Sequence, residues 1–258
     1  MRNTEALQII GEHAAEQWGM VTAAQALDLG VQRVTLTRLV AAGLLEHVMR
    51  GVYGIPAALN TPHLHEKAAW LRLDPTTPAW RRKPLDDAGG VISHRSAAAV
   101  HDLGDLVPHA VELTVPRRRT TRDPAIRLRP GTLTESDVTT VDGLPVTTAE
   151  RTVLDLLADH TDGSHVGDVV AAALGRRIID LDRLGDRADV YAARYGVTGG
   201  VRRGRRLLDR LLDEVGYQGV DEQDRRLASL ARQLADLDPA QLDTLSVALR
   251  EIRGGNQP

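Results

Sequence analysis

The spacing of hydrophobic positions changes along the chain, and those changes divide it into two parts. Over residues 4–18, apolar Leu7, Ile10, Ala14 and Trp18 recur at helical spacing, which predicts a first helix capped by Thr4. Residues 21–29 predict a short second helix, with Thr22 placed so that its hydroxyl accepts from the free amides of the first turn. Gly30 supplies a tight turn. Residues 32–42 predict a third helix, with Leu36, Leu39 and Val40 on one face and Val34, Thr35, Thr37, Arg38 and Ala41 on the others. Gly43 can end it in the left-handed conformation. Two short runs, 44–49 and 52–55, then flank Arg50-Gly51 as a hairpin. Helix, tight turn, helix and hairpin in this order make the pattern of a winged helix-turn-helix, with the third helix outward and Arg50 on the wing.

Residues 56–62, bounded by prolines, break regular structure, so a boundary is expected near residue 60. A helix is predicted over 63–73, then an exposed loop to Gly90 that carries Arg81-Arg82-Lys83 solvated. Beyond it the period shortens. A strand is expected at 90–93, with Ser93 capping an alanine-rich helix that Gly104 ends. Further strands are expected at 111–115 and 125–129, and residues 138–141 pair with 144–147 across Asp142-Gly143, a favoured two-residue turn. Thr147 and Glu150 have the spacing of a capping box, and Arg151 and Asp155 that of an i, i+4 pair. From about residue 148 the pattern stays helical, over 166–177, 181–195, 201–215 and 222–253. The expected fold class is α+β and mostly helical: a winged helix-turn-helix over residues 1–60, then an α+β domain over 61–258.

Composition limits what this fold can do. A formal net charge of -3 over 258 residues argues against a uniformly basic coat, so nucleic acid would have to meet local clusters such as 81–83, 117–119 and 202–206. The absence of cysteine removes disulfides, thiolate zinc sites and thiol catalysis. No targeting segment and no apolar run of about 20 residues is present, so a cytoplasmic protein without membrane contact is expected.

Catalytic and metal chemistry fare poorly against the sequence. Gly163-Ser164 with Asp180-Leu181-Asp182 imitates a nucleotidyltransferase site, but a predicted helix separates the pieces and Asp180 or Asp182 serves better as a helix N-cap. Neither Lys67 nor Lys83 has an acidic residue two positions before it, which removes the usual restriction-nuclease triplet. His63, His65, His94 and His101 form no i, i+4 pair, so no metal and no cofactor are expected.

The hairpin ending in RGVYGIP, followed by VISHRSAAAVHDLG, AVELTVPRRR and VDGLPVTTAERTVLDLL, resembles the AbiEi-type antitoxins of type IV toxin-antitoxin systems over about residues 6–195. The resemblance implies a winged helix that binds and represses its own promoter, and a second domain that counters a nucleotidyltransferase toxin. It implies no enzymatic activity. Gln32 opens the third helix where such proteins usually have a small hydroxyl residue.

For DNA contact the sequence points to Arg33, Thr35, Thr37 and Arg38 in the third helix and Arg50 on the wing. Arginine suits guanine O6/N7 bidentately and threonine suits a base edge or a thymine methyl. Arg117, Arg118, Arg119 and Arg122 crowd on one loop, as a contact either for phosphate or for an acidic partner. The run 202–206 reads as a charged outer helix face. A stand-alone winged-helix regulator with a sensing or dimerisation domain is the alternative function.

Overall fold

The computed structural model describes residues 2–219. One compact unit spans Met1–Val215, and a second, Gly216–Pro258, lies almost wholly outside the described residues, as does the helix expected over 222–253. The described chain is α+β, with nine α-helices and two sheets.

The first helix, α1 (Asn3–Ala15), buries Ala6, Ile10 and Ala14. It starts one residue before Thr4, which therefore does not cap it, and it ends before Trp18, which sits in the left-handed conformation at φ 54°. A strand that the sequence pattern did not predict follows, β1 (Met20–Thr22). Thr22 then caps α2 (Ala23–Asp28), its Oγ1 accepting from the Gln25 amide at 3.1 Å. Gly30 turns at φ 84° into α3 (Arg33–Ala41), and Gly43 at φ 68° ends that helix as expected. β2 (Glu46–Met49) and β3 (Val52–Gly54) form the hairpin, and β3 is the middle strand of an antiparallel sheet, with Met20 opposite Gly54 and His47 opposite Tyr53.

The second sheet has strand order β6-β5-β4-β8-β7, where β4 is Val91–Ile92, β5 Val111–Val115, β6 Ile126–Pro130, β7 Val138–Val141 and β8 Leu144–Thr147. The β7–β8 register matches the expected hairpin, with Asp142 and Gly143 both at positive φ as a type I′ turn requires. All five residues of β5 are buried, including polar Glu112 and Thr114. Glu112 is compensated by Arg129 Nη2 at 2.7 Å and the Arg95 amide at 3.0 Å.

Helices α4 (Leu64–Leu73), α5 (His94–Val100) and α6 (Ala149–Ala158) pack on this sheet, and α7 (Gly163–Gly175) packs on α6. The helix after Ser93 stops at Val100, short of Gly104. The cap of α6 is Thr148, one residue after the expected Thr147. Thr147 is instead fully buried, its hydroxyl bonded to that of Thr152 at 2.8 Å. Glu150, freed from a capping box, pairs with Arg183 at 3.0 Å. The Arg151–Asp155 pair forms at 2.8 Å but is largely buried, and it extends through Asp137 to Arg187. Burial favours the neutral Asp137 acid, yet Arg187, Thr134 and Arg151 together hold its carboxyl below the usual range.

α8 (Leu181–Ala188) and α9 (Arg203–Glu214) cross at Gly185 and Gly204. A Cβ on Gly204 would overlap the Gly185 carbonyl oxygen and lie 2.5 Å from the Asp189 amide nitrogen. The arginines at 202–206 are not a merely solvated face. Arg203 reaches Asp189 at 2.7 Å, Arg205 reaches Asp182 at 2.6 Å, and Arg202 also pairs with Asp182. Asp180 caps α8 by accepting from the Asp182 and Arg183 amides, both at 2.9 Å.

Residue 60 separates the two sheets along the chain, but one core joins them. Met20 and Val52, fully buried, belong to the same apolar cluster as Ala68, Trp70, Leu71 and Ile92. Trp18 meets Trp70 edge-on at 5.9 Å and donates through Nε1 to the Asp142 carbonyl at 2.9 Å. Gln17 accepts from the Ala79 amide at 2.9 Å, and Trp80 lies 5.0 Å from the His13 ring. Arg82, expected in solvent, instead stacks 3.6 Å above Trp70 and donates to the Trp70 carbonyl at 2.7 Å, and burial pushes its pKa down to about 10.

Candidate nucleic-acid interface

α3 is held by Leu36 and Leu39, both fully buried against α1 and α2 with Val31. That anchoring turns Arg33, Val34, Thr37 and Arg38 outward, and Val34 is 56% exposed. Thr35 is a correction. It is 6% exposed and faces inward, because α3 packs over a wider arc than its apolar residues alone suggest. Thr37 is exposed and donates to the Arg33 carbonyl at 3.1 Å, so its hydroxyl proton is used locally while its methyl and lone pairs stay outward.

The N-terminus of α3 carries no side-chain cap from Gln32 and no acidic residue in its first turn. Its positive dipole end is therefore left without a local counter-charge, an arrangement suited to an anion. Arg50 is exposed on the two-residue turn between β2 and β3, with Gly51 at φ 78°.

The four arginines of the 117–122 loop have different environments. Arg117 pairs with Asp87. Arg119 donates to three carbonyls, Leu73 at 3.1 Å, Asp87 at 2.6 Å and Gly89 at 3.2 Å, and so fastens the loop to the chain below it. Arg118 and Arg122 are exposed and make no hydrogen bond or ion pair among the described residues. Beside them lies a cavity of about 310 Å³ between α4 and β6, lined by Arg72, Leu73, Arg119, Thr121, Arg122 and Leu128 among others. Arg72 pairs with Asp123 at its edge. Nothing in the sequence marks Arg72, which looks there like an ordinary surface residue of an amphipathic helix.

The motifs that suggest other chemistry are structural. Gly163-Ser164 opens α7, and Asp180 is the α8 cap. Among the described residues the side chains of metal-binding type that converge are Asp105, His165 and Asp168, none of them among the four histidines considered from sequence. No helix of the described residues is long and apolar enough to cross a membrane.

The helices and hairpin that present Arg33, Arg38 and Arg50 are the segment that other proteins share. Residues 8–56 match the family of AbiEi antitoxin transcriptional regulators. The AbiEi-type segment thus runs from within α1 to just past β3 and contains every residue picked from sequence for DNA contact. No curated protein matches the chain. Among solved structures, the crystal structure of RV2827C protein from Mycobacterium tuberculosis is similar at a TM-score of 0.46 and 17% identity, covering 80% of this chain and 81% of that one.

Proposed function

We propose that this chain is an antitoxin of a type IV toxin-antitoxin system that binds double-stranded DNA at its own promoter, represses transcription and counters a nucleotidyltransferase toxin. The observation that carries the reading is the AbiEi match over residues 8–56, the stretch whose outward side chains are Arg33, Thr37, Arg38 and Arg50. We read α1 to β3 as a winged helix-turn-helix, with α3 in the major groove and the β2–β3 turn as the wing. Arg38 and Arg33 read base edges, Thr37 offers its methyl and lone pairs, and Arg50 meets phosphate. Thr35 supports the helix from within. Residues 61–258 carry the toxin-countering role, with no catalytic step and no cofactor, and the protein acts in the cytoplasm.

Binding of the full chain to duplex DNA from upstream of its gene, at several salt concentrations, tests this. Arg38→Ala is expected to cost about 1–3 kcal/mol and to relax preference at one base position, whereas Arg50→Ala weakens all sequences alike and flattens the salt slope by about 1. Unchanged affinity in the double variant removes this surface from DNA binding. Co-expression with a nucleotidyltransferase toxin encoded beside this gene tests the second role, which fails if no such gene is present or if cells are not rescued.

A further inference from the structure

The five-stranded sheet has a second charged face. Side chains alternate along β6, so Ile126 and Leu128 line the 310 Å³ cavity beside α4, while Arg127 and Arg129 project to the other side. There Arg127 stands next to Glu112 of β5. A separate cavity of about 300 Å³ opens on this side, lined by Arg95, His109, Ala110, Glu112, Arg127 and Asp159. None of these residues belongs to the 117–122 loop or to the AbiEi-type segment.

The acids of this cavity are already satisfied, and its bases are not. Glu112 accepts from Arg129 Nη2 at 2.7 Å through one oxygen and from the Arg95 amide at 3.0 Å through the other. Both oxygens of Asp159 accept from the Arg129 guanidinium, one of them at 2.7 Å. Every carboxylate oxygen therefore has a donor. Arg127 comes only within 3.8 Å of Glu112, beyond hydrogen-bond reach. The half-buried Arg95 and the exposed His109 make no side-chain hydrogen bond or ion pair among the described residues. Three guanidinium groups thus stand against two carboxylates, and two of the three have their donors unused.

We propose that this cavity binds a small hydroxylated phosphate monoester, the phosphate of a sugar or polyol, with Arg95 and Arg127 on the phosphoryl oxygens. Guanidinium N–H groups match phosphate oxygens in pairs. Among the described residues that line the cavity Ala110 alone is apolar, so the wall has no platform for a nucleobase or an acyl chain. Hydroxyl groups of the ligand find acceptors instead in Glu112 and Asp159, whose oxygens keep lone pairs after bonding Arg129. The volume lies at the small end of the roughly 300–1,000 Å³ usual for ligand pockets, which suits a compact ligand. A phosphate inside a duplex backbone carries a sugar on each side and does not enter a cavity of this size. Once bound, the ligand joins Arg95 of α5 to Arg127 of β6, so occupancy is read as added stability.

The test uses the full chain, with glycerol phosphate and inorganic phosphate as probes, by calorimetric titration and thermal unfolding at fixed ionic strength. Glycerol phosphate is expected to bind once per chain, more tightly than inorganic phosphate, and to raise the melting temperature with ligand concentration. Arg95→Ala/Arg127→Ala is expected to weaken it about ten-fold or more, the loss of at least one hydrogen bond to a charged group. Arg118→Ala/Arg122→Ala is expected to leave it unchanged. An unaltered urea midpoint in the ligand-free Arg95/Arg127 variant shows that its fold is intact, and Arg95→Lys/Arg127→Lys, which keeps both charges, is expected to bind better than the alanine pair. No binding of either probe, binding undiminished by Arg95→Ala/Arg127→Ala, or equal affinity for the two probes overturns the proposal. Loss of binding in the Arg118/Arg122 variant overturns it too, and places the anion on the arginine loop. Promoter affinity is expected to be the same with and without Arg95→Ala/Arg127→Ala, and a parallel fall makes this face a duplex contact, not a ligand site. The DNA-binding reading is decided separately, by Arg38→Ala.

Discussion

Cutting the chain at residue 60 separates the two proposed roles on paper, but the packing predicts that the piece left behind is unstable. A fragment of residues 61–258 loses Met20 and Val52 from its core and Trp18 from the edge of Trp70. At about 2 kcal/mol for each apolar side chain withdrawn, these contribute roughly 6 kcal/mol. The hydrogen bonds from Trp18 to Asp142, Thr22 to Pro75, Gln25 to Thr77 and Ala79 to Gln17 also cross the cut. At about 1 kcal/mol each they bring the loss to roughly 10 kcal/mol, as large as the whole stability of a typical domain at about 5–15 kcal/mol. The fragment is expected to lose its near-ultraviolet circular dichroism and to melt without cooperativity. In the intact chain, Met20→Ala is expected to cost about 2–5 kcal/mol by urea unfolding. A 61–258 fragment melting cooperatively within a few degrees of the full chain refutes the shared core. If the fragment is unstable, the two roles have to be separated by point substitutions such as Arg38→Ala, not by truncation.

Two further outcomes concern the helical part and pH. Gly204→Ala places a methyl group into the Gly185 carbonyl and the Asp189 amide, backbone atoms that cannot rotate away. It should destabilise by at least about 1–3 kcal/mol, and an unchanged urea midpoint argues against the close crossing of α8 and α9. Burial holds the pKa of His94 and of His101 below the ordinary histidine value, so both stay neutral in the fold and take up protons first in the unfolded chain. Their contribution is complete above about pH 6.5 and is lost as pH falls below it towards the folded pKa values. Asp155, whose carboxyl burial pushes up, works in the opposite direction as it protonates. Melting temperature should drop from about pH 7.5 to about pH 5.5, and His101→Gln should lessen the drop. A flat profile contradicts the burial argument.

Much of the fold was legible because helices and hairpins are encoded locally. The helical period located α3, α4 and α6, and Asp142-Gly143 marked a hairpin whose register the structure reproduces. β1 was hidden for the converse reason. Three residues are too short to show a period, and apolar Val21 also fitted the helix that follows. The cap of α6 moved by one because two adjacent threonines offer the same hydroxyl, and packing against Thr152 settled which was buried. Arg82 could not be placed from sequence at all. Its neighbours Arg81 and Lys83 are also charged, and only tertiary packing brings it over Trp70. The same limit applied to the candidate interface: the loop arginines were visible as a cluster, but which were fastened and which were left free depended on carbonyls 30 or more residues away.

The junction between the two parts also has a built-in optical probe. All three tryptophans sit there, Trp18 against Trp70, with Arg82 over the Trp70 face, and Trp80, 51% exposed, beside His13 of α1. Trp18 and Trp70 are close enough to exchange excitation, and the guanidinium on Trp70 tunes its emission. Intrinsic fluorescence of the unlabelled protein therefore reports chiefly on the seam between the sheets. A titration with DNA or with a toxin that shifts the emission would register strain carried to that seam from either side.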